Sequence, residues 1–301
     1  MFWGVTLGVA TALMQSCSYL ASAAFISRHR SAFKLLISSQ LFMGVCSTVL
    51  LPFFITEDLV RIAKGGWWYL AAWVTMFFLG QAGFFISQKY IESSRLASLL
   101  GLKILVLSAF WMIFNAKMLN YLQVIGVILG VAAAFAMNWS GSRRLHWKGI
   151  AALAVTLVCY SLTDLSETAM VHLADQGNVV KAGITITLFC YTVLGICTLP
   201  FAVKTGWSWT MQKDSAPFAV IWLGSQMTLL ICFGMVGPVF GNVIQSTRGL
   251  FSVLLGVLVC CLGISGGEKQ VSAVMWLRRG FAALLMLVSI VCFSFGKIIG
   301  G

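Results

Sequence analysis

The stretch KGIAALAVTLVCYSLTDLSETAMVHL, residues 148–173, runs 26 residues with one Lys at its edge and only two acids, Asp164 and Glu167. A helix needs about 20 mainly apolar residues to cross the hydrocarbon core of a bilayer. The run shows no alternation with period two, and within lipid only a helix satisfies its own backbone inside one segment. It therefore reads as a transmembrane helix.

Working outward, turn and charge clusters cut the rest of the chain into similar runs. The predicted spans are 3–26, 35–55, 68–88, 93–115, 119–139, 148–173, 182–203, 217–240, 242–264 and 274–299. Their separators include Arg28-His-Arg30, Glu57-Asp58, Gly65-Gly66, Ser140-Gly-Ser-Arg-Arg144, Asp175-Gln-Gly-Asn178 and Gly266-Gly-Glu268. Trp67, Trp68, Trp139, Trp147, Trp207, Trp209 and Trp276 lie at run edges, where an indole keeps its ring apolar and its N–H wet. Of the 301 residues, 60% are hydrophobic and 9% charged, against roughly 25% charged in a soluble domain. The predicted fold is all-α and integral to the membrane, with about ten helices, because spans of that length leave no room for an aqueous domain.

The net charge of +12 is scattered in ones to threes rather than gathered into a stripe, which argues against nucleic acid as a partner. The first run has no basic segment before it and is too long for a signal sequence, so it is expected to stay as a span. All nine Cys residues fall in apolar runs, without a CxxC pair or suitably spaced His, and read as packing residues rather than metal ligands. No GxxxxGK[ST] loop is present, so transport driven by nucleotide hydrolysis is not expected.

The two halves resemble each other. A shift of 145 residues lays Gly4 on Gly149 and carries Gln15, Ser18, Tyr19 and Ser22 onto Tyr160, Thr163, Asp164 and Glu167. A shift of 148 lays Leu51-Pro52-Phe53 on Leu199-Pro200-Phe201. Residues 1–140 and 141–301 thus read as two five-helix repeats in one membrane domain. An odd number of spans inserts the copies in opposite orientation, the architecture through which one site opens to either side. Thirteen Lys and Arg residues fall after the odd-numbered spans and five after the even-numbered ones, which predicts that both termini lie outside.

Asp164 and Glu167 are the only acids inside predicted spans. An ionised side chain at mid-bilayer costs about 2.5–3.5 kcal/mol or more and usually faces a cavity or a partner. Tyr160, Thr163, Asp164 and Glu167 follow the spacing i, i+3, i+4, i+7, so they share one helical face, and Gln15, Ser18, Tyr19 and Ser22 do the same. Facing polar stripes would line a midplane cavity; the alternative is hydrogen-bonded helix–helix packing. Lys103 sits about ten residues into the fourth span, roughly 15 Å deep, and needs Asp164, Glu167 or an anionic solute as partner. Arg248 shares a face with Gln245 and Ser252; its guanidinium could grip a carboxylate or phosphate, or reach the headgroups. Gly234, Gly237, Pro238 and Gly241 mark either a gate or a tight turn, and Gly126 and Gly130 form a GxxxG that reads as internal packing.

With these spans and repeats, the segments Tyr90-Ile-Glu-Ser-Ser-Arg-Leu-Ala-Ser-Leu-Leu100 and Asn115-Ala-Lys-Met-Leu-Asn-Tyr-Leu-Gln-Val-Ile-Gly126 resemble the EamA-type branch of the drug/metabolite transporter superfamily. Gln123, Gly126 and Gly267-Glu268 fit its pattern. Lys117 replaces the acid of the first half, and Lys103-Ile104 stands where relatives often carry Glu-Pro, reversing the charge of the fourth span. The resemblance implies a secondary carrier, without cofactor or catalytic residues, that moves a small polar metabolite such as an amino acid or another anionic solute by alternating access. Its implied partners are that solute, the lipid bilayer and, as coupling ion, protons carried by Asp164 and Glu167, since intramembrane carboxyls serve as proton relays. The expected location is a bacterial cytoplasmic membrane. Two other classes fit the composition: an embedded enzyme acting on a lipid-linked substrate, with Asp164 and Glu167 as acid and base, and a scaffold without transport.

Overall fold

The computed structural model describes residues 2–54, 65–91, 96, 99–115, 120–138, 146–175, 177–205, 208–261 and parts of 281–296. Among these, all regular structure is helical. The helices are α1 (Phe2–His29), α2 (Ala32–Leu50), α3 (Trp67–Ser87), α4 (Lys103–Asn115), α5 (Tyr121–Asn138), α6 (Trp147–Ala174), α7 (Val179–Thr205), α8 (Trp209–Val236), α9 (Pro238–Gln245) and α10 (Arg248–Cys261). Short 3-10 turns follow α2 at Leu51–Phe53 and precede α4 at Leu100–Leu102.

Six helices are long and apolar enough to cross a membrane: α1, α2 with its 3-10 extension, α3, α6, α7 and α8. Their ends use the chemistry expected at an interface. Arg30 takes a left-handed φ of 52° between α1 and α2, and the Ser31 hydroxyl then accepts from the Lys34 N–H at 3.2 Å to cap α2. Asn178 caps α7 through the Lys181 N–H at 3.0 Å. Trp67, Trp147 and Trp209 are each the first residue of a helix and stand exposed, as interfacial anchors do.

Because lipid tails are as apolar as Leu, membrane helices associate through close packing and hydrogen bonds. The main pairings are α1 with α8, α3 with α6 and α2 with α7. Gly44 of α2 and Gly195 of α7 bring their backbones together; a Cβ on either would lie 2.6 Å from the other's Cα. Gly80 and Gly83 give α3 the same closeness to α6, where their added Cβ atoms would meet Tyr160 and Thr156 at 2.7 and 2.6 Å.

The structure alters several expected boundaries. The eighth span begins at Trp209, not residue 217, so Pro217 lies inside a helix. The ninth is divided: α9 ends at Gln245, residues 246–247 turn, and α10 starts at Arg248. In the fourth, a 3-10 turn at Leu100–Leu102 precedes the regular α-helix that runs from Lys103. Gly237, with φ of 87°, ends α8 and lets Pro238 open α9, so the Gly-Pro cluster forms a tight turn. Gly126 and Gly130 pack internally: Ser289 donates to the Gly126 carbonyl, and a Cβ on Gly130 would meet the same hydroxyl at 3.0 Å. Glu57, Asp58, Glu92, Lys117, Ser140–Arg144, Gly267-Glu268 and much of the tenth span lie outside the described residues.

Candidate functional site

Four long helices bring polar or aromatic side chains to their midpoints. Gln15, Tyr160 and Trp222 are each the fourteenth residue of a 28-residue helix, α1, α6 and α8, and Phe77 is the eleventh of 21 in α3. All four side chains line one small cavity. Two helix beginnings close in on it. After the 3-10 turn at 100–102, Lys103 is the first residue of α4. At the α9–α10 turn the ladder tightens to i→i−3 bonds, Thr247 N–H to Ile244 at 3.1 Å and Gly249 N–H to Ser246 at 3.2 Å, and Arg248 opens α10. Both cations thus stand just after an irregular turn of helix in the interior of the protein.

The cavity holds four buried ionisable groups, with Lys103, Asp164, Glu167 and Arg248 only 2–4% exposed. Lys103 Nζ lies 2.7 Å from Asp164 Oδ2, and Asn242 Nδ2 donates to the same oxygen at 2.6 Å. The pair is closed: cation, carboxylate and amide satisfy one another. Lys103 Nζ also lies 5.9 Å from the centroid of the Tyr160 ring.

Arg248 differs. Its Nη1 donates to Gln15 Oε1 at 3.1 Å, an oxygen that also accepts from Gln245 Nε2 at 2.9 Å. No carboxylate pairs with it among the described residues, and its Nε, Gln245 Oε1 and the Tyr19 hydroxyl make no hydrogen bond. Glu167 likewise makes no ion pair among the described residues. Its Oε1 accepts from Trp73 Nε1 at 2.5 Å.

Aromatic rings fill the space between these charges. Phe77 lies 6.2 Å from Tyr160 and 6.5 Å from Trp222, centroid to centroid, and stacks on Trp73 at 4.9 Å. Tyr19 lies 6.1 Å from Trp222. Two further bonds fix the rings: Tyr160 OH donates to Gln81 Oε1, and Trp222 Nε1 donates to the Tyr191 hydroxyl at 2.8 Å.

Of the expected site residues, Gln15, Tyr19, Lys103, Tyr160, Thr163, Asp164, Glu167, Gln245 and Arg248 line the cavity. Ser18 and Ser22 do not. Ser18 turns its hydroxyl to the Gln15 carbonyl at 2.7 Å, and Ser22 bonds Gln88 of the α3 end, with Gln88 Nε2 donating at 2.8 Å. These two serve packing. The lining also includes Phe77, Trp222 and Leu229, which polarity within a span does not single out, and Gln226, a polar residue within a predicted span that lies outside the two stripes. A signal for them existed: Phe77 and Trp222, Gln81 and Gln226, and Lys103 and Arg248 are all separated by the same 145 residues that relate the two polar stripes.

No family model matches the sequence, and no curated protein matches it. Among solved structures 27 chains match. One, known from a crystal structure, is 12% identical and superposes with a TM-score of 0.67 over 99% of this chain and 99% of its own. At that identity the likeness is one of fold alone.

Proposed function

We propose that the protein is a secondary transporter of the EamA type, built from ten transmembrane helices in two inverted five-helix repeats, which carries a small polar solute with an anionic group by alternating access. The observation that carries the reading is Arg248, a buried guanidinium at a mid-membrane cavity whose hydrogen-bond partner is neutral. A guanidinium without a counter-ion is costly inside a membrane; a carboxylate or phosphate oxygen arriving at its free Nε would relieve that cost in a charge-assisted bond.

Two further features support transport. Eight of the thirteen residues that line the cavity fall into four pairs at one offset, Gln15 with Tyr160, Tyr19 with Asp164, Phe77 with Trp222 and Lys103 with Arg248, as expected where two repeats each contribute to a site. Both cations also follow an irregular turn of helix within a span, a local break of the kind that carriers place at their solute sites. Within this reading Lys103 and Asp164 hold α4 against α6. Glu167, with no cation as partner among the described residues, is the group available to exchange a proton.

The test is solute counterflow in sealed vesicles holding the purified protein, across labelled amino acids, organic acids and sugar phosphates, with and without a proton gradient. Saturable exchange that falls at least about tenfold in Arg248→Gln is expected from loss of a charge-assisted contact. Absence of exchange for every solute, or exchange indifferent to Arg248→Gln, would count against the reading.

A further inference from the structure

A groove where α2, α7 and α8 meet shares no residue with the central cavity. It lies at the end of the bundle where α1 and α7 stop and α2 and α8 start, the end that receives most of the Lys and Arg residues of the connections. Asp214, the acid of α8 at that end, is already held on both oxygens, by Arg28 at 2.8 Å and His29 at 2.7 Å. It leaves the other cations there unopposed by α8.

The polarity of the groove is ordered by depth. α2 contributes one stripe, Lys34, Ile37, Ser38 and Leu41, at the spacing i, i+3, i+4, i+7. Lys34 stands exposed in the first turn of α2, and Leu41 lies seven residues further in, about 10 Å deeper at 1.5 Å per residue. The Ser38 hydroxyl is turned back to the Lys34 carbonyl at 2.7 Å, so the stripe passes from an ammonium to hydrocarbon. Across the groove stand Ser208 and Gln212. Ser208 occupies the N-cap position of α8, but its side chain makes no capping bond, and the amide end of a helix without such a cap attracts an anion. Gln212 is only 7% exposed, yet its side-chain amide makes no hydrogen bond among the described residues and reaches the groove. A buried amide of this kind calls for a ligand with polar atoms at its depth. Trp209 beside it, exposed at the first position of α8, sets that depth at the headgroup layer.

We infer that the groove binds an anionic phospholipid, its phosphodiester held between Lys34 and the start of α8 and an acyl chain running down Ile37, Leu41 and Met211. Gln212 donates to a phosphate oxygen from its amide nitrogen, and its carbonyl accepts from a headgroup hydroxyl. A free phosphate would fill only the polar mouth; the hydrocarbon beneath it fits a ligand that carries both parts. The site does not rest on the transporter reading and requires only that the helices lie in a bilayer.

The full chain in a neutral detergent is titrated with phosphatidylglycerol, with phosphatidylcholine of the same chains, and with inorganic phosphate. Binding is read by native mass spectrometry and by the rise in the thermal unfolding midpoint. One phosphatidylglycerol should be held at least about fivefold tighter than phosphatidylcholine, the worth of one Lys at a charged lipid surface. Lys34→Gln, a change at an exposed side chain, should bring that preference below about twofold, and Gln212→Leu should weaken phosphatidylglycerol about fivefold through loss of one hydrogen bond. Lys148→Gln removes an equal charge at the start of α6, outside the groove, and should keep the preference. The midpoint of each variant without lipid reports its fold separately. Equal retention of the two lipids, unaltered phosphatidylglycerol affinity in Gln212→Leu, or a loss in Lys148→Gln as large as in Lys34→Gln overturns the inference. Protection by inorganic phosphate equal to that by phosphatidylglycerol overturns it too, since the hydrocarbon half of the groove would then hold nothing.

Discussion

Replacing Asp164 with Asn should destabilise the protein more than removal of one hydrogen bond accounts for. With Lys103 Nζ 2.7 Å from Asp164 Oδ2, Coulomb attraction at an effective dielectric constant of about 20 is roughly 6 kcal/mol. Stripping each ion of water costs several kcal/mol, so the intact pair adds little net stability, but removing one partner leaves the other buried and uncompensated at a cost of about 3–5 kcal/mol. Asp164→Asn and Lys103→Met should each show that loss in reversible unfolding from mixed micelles, followed by circular dichroism. The combined Lys103→Met, Asp164→Leu protein should recover most of it, because no orphan charge remains and Asn242 keeps its bond to the Pro238 carbonyl at 2.9 Å. The coupling energy of the cycle should be at least about 2 kcal/mol. Single losses below about 1 kcal/mol, or two losses that simply add, would refute the argument that this pair is closed and buried.

Gly195→Val should weaken the fold by at least about 1–3 kcal/mol, since its Cβ would lie 2.6 Å from the Gly44 Cα. Gly65→Ala, where no heavy atom lies within 4 Å, should unfold with the wild type. At the edge of the bundle Arg28 pairs with Asp214 at 2.8 Å with 68% of its side chain exposed; Arg28→Ala should cost less than about 1 kcal/mol, and added salt should reduce the difference. If Ser18 and Ser22 serve packing alone, Ser18→Ala and Ser22→Ala should leave the affinity of any solute within about twofold of wild type while Gln15→Ala does not, since Gln15 is the neutral partner of Arg248. Equal losses in the serine variants, measured by tryptophan quenching, would return those positions to the site.

Much of this arrangement was legible in the sequence because ionisable residues inside apolar runs are expensive and so point inward. Asp164, Glu167, Lys103 and Arg248 stood out for that reason, and all four meet at the cavity. Hydropathy has no resolution for what separates Ser18 from Tyr19: both belong to one stripe, but a small hydroxyl satisfies itself on its own helix while a phenol must reach beyond it. The divided ninth span was equally opaque. Residues 242–264 form one apolar run, and the turn at 246–247 arises where Ser246 and Thr247 tie their hydroxyls to the Val243 and Ile244 carbonyls, a local competition that averages out of a hydropathy window. Phe77 and Trp222 were hidden for the opposite reason, since aromatic residues in a membrane span are ordinary and only the offset they share marks them.

That shared offset also shows where the two halves part in chemistry. Lys103 and Arg248 occupy corresponding positions, and each faces the polar stripe of the other half: Lys103 meets Asp164 of α6, Arg248 meets Gln15 of α1. The stripe on α6 carries two acids where α1 has Tyr19 and Ser22. Among the described residues one cation is therefore neutralised and the other is not, although the same offset relates their positions. Exchanging the acids between the stripes, with Tyr19→Asp and Asp164→Tyr together, should move the closed pair from Lys103 to Arg248. Solute affinity would then follow Lys103, whose substitution would become the one that abolishes binding. If Arg248 stayed essential in the exchanged protein, the site would depend on the guanidinium itself rather than on which cation the stripes leave unpaired.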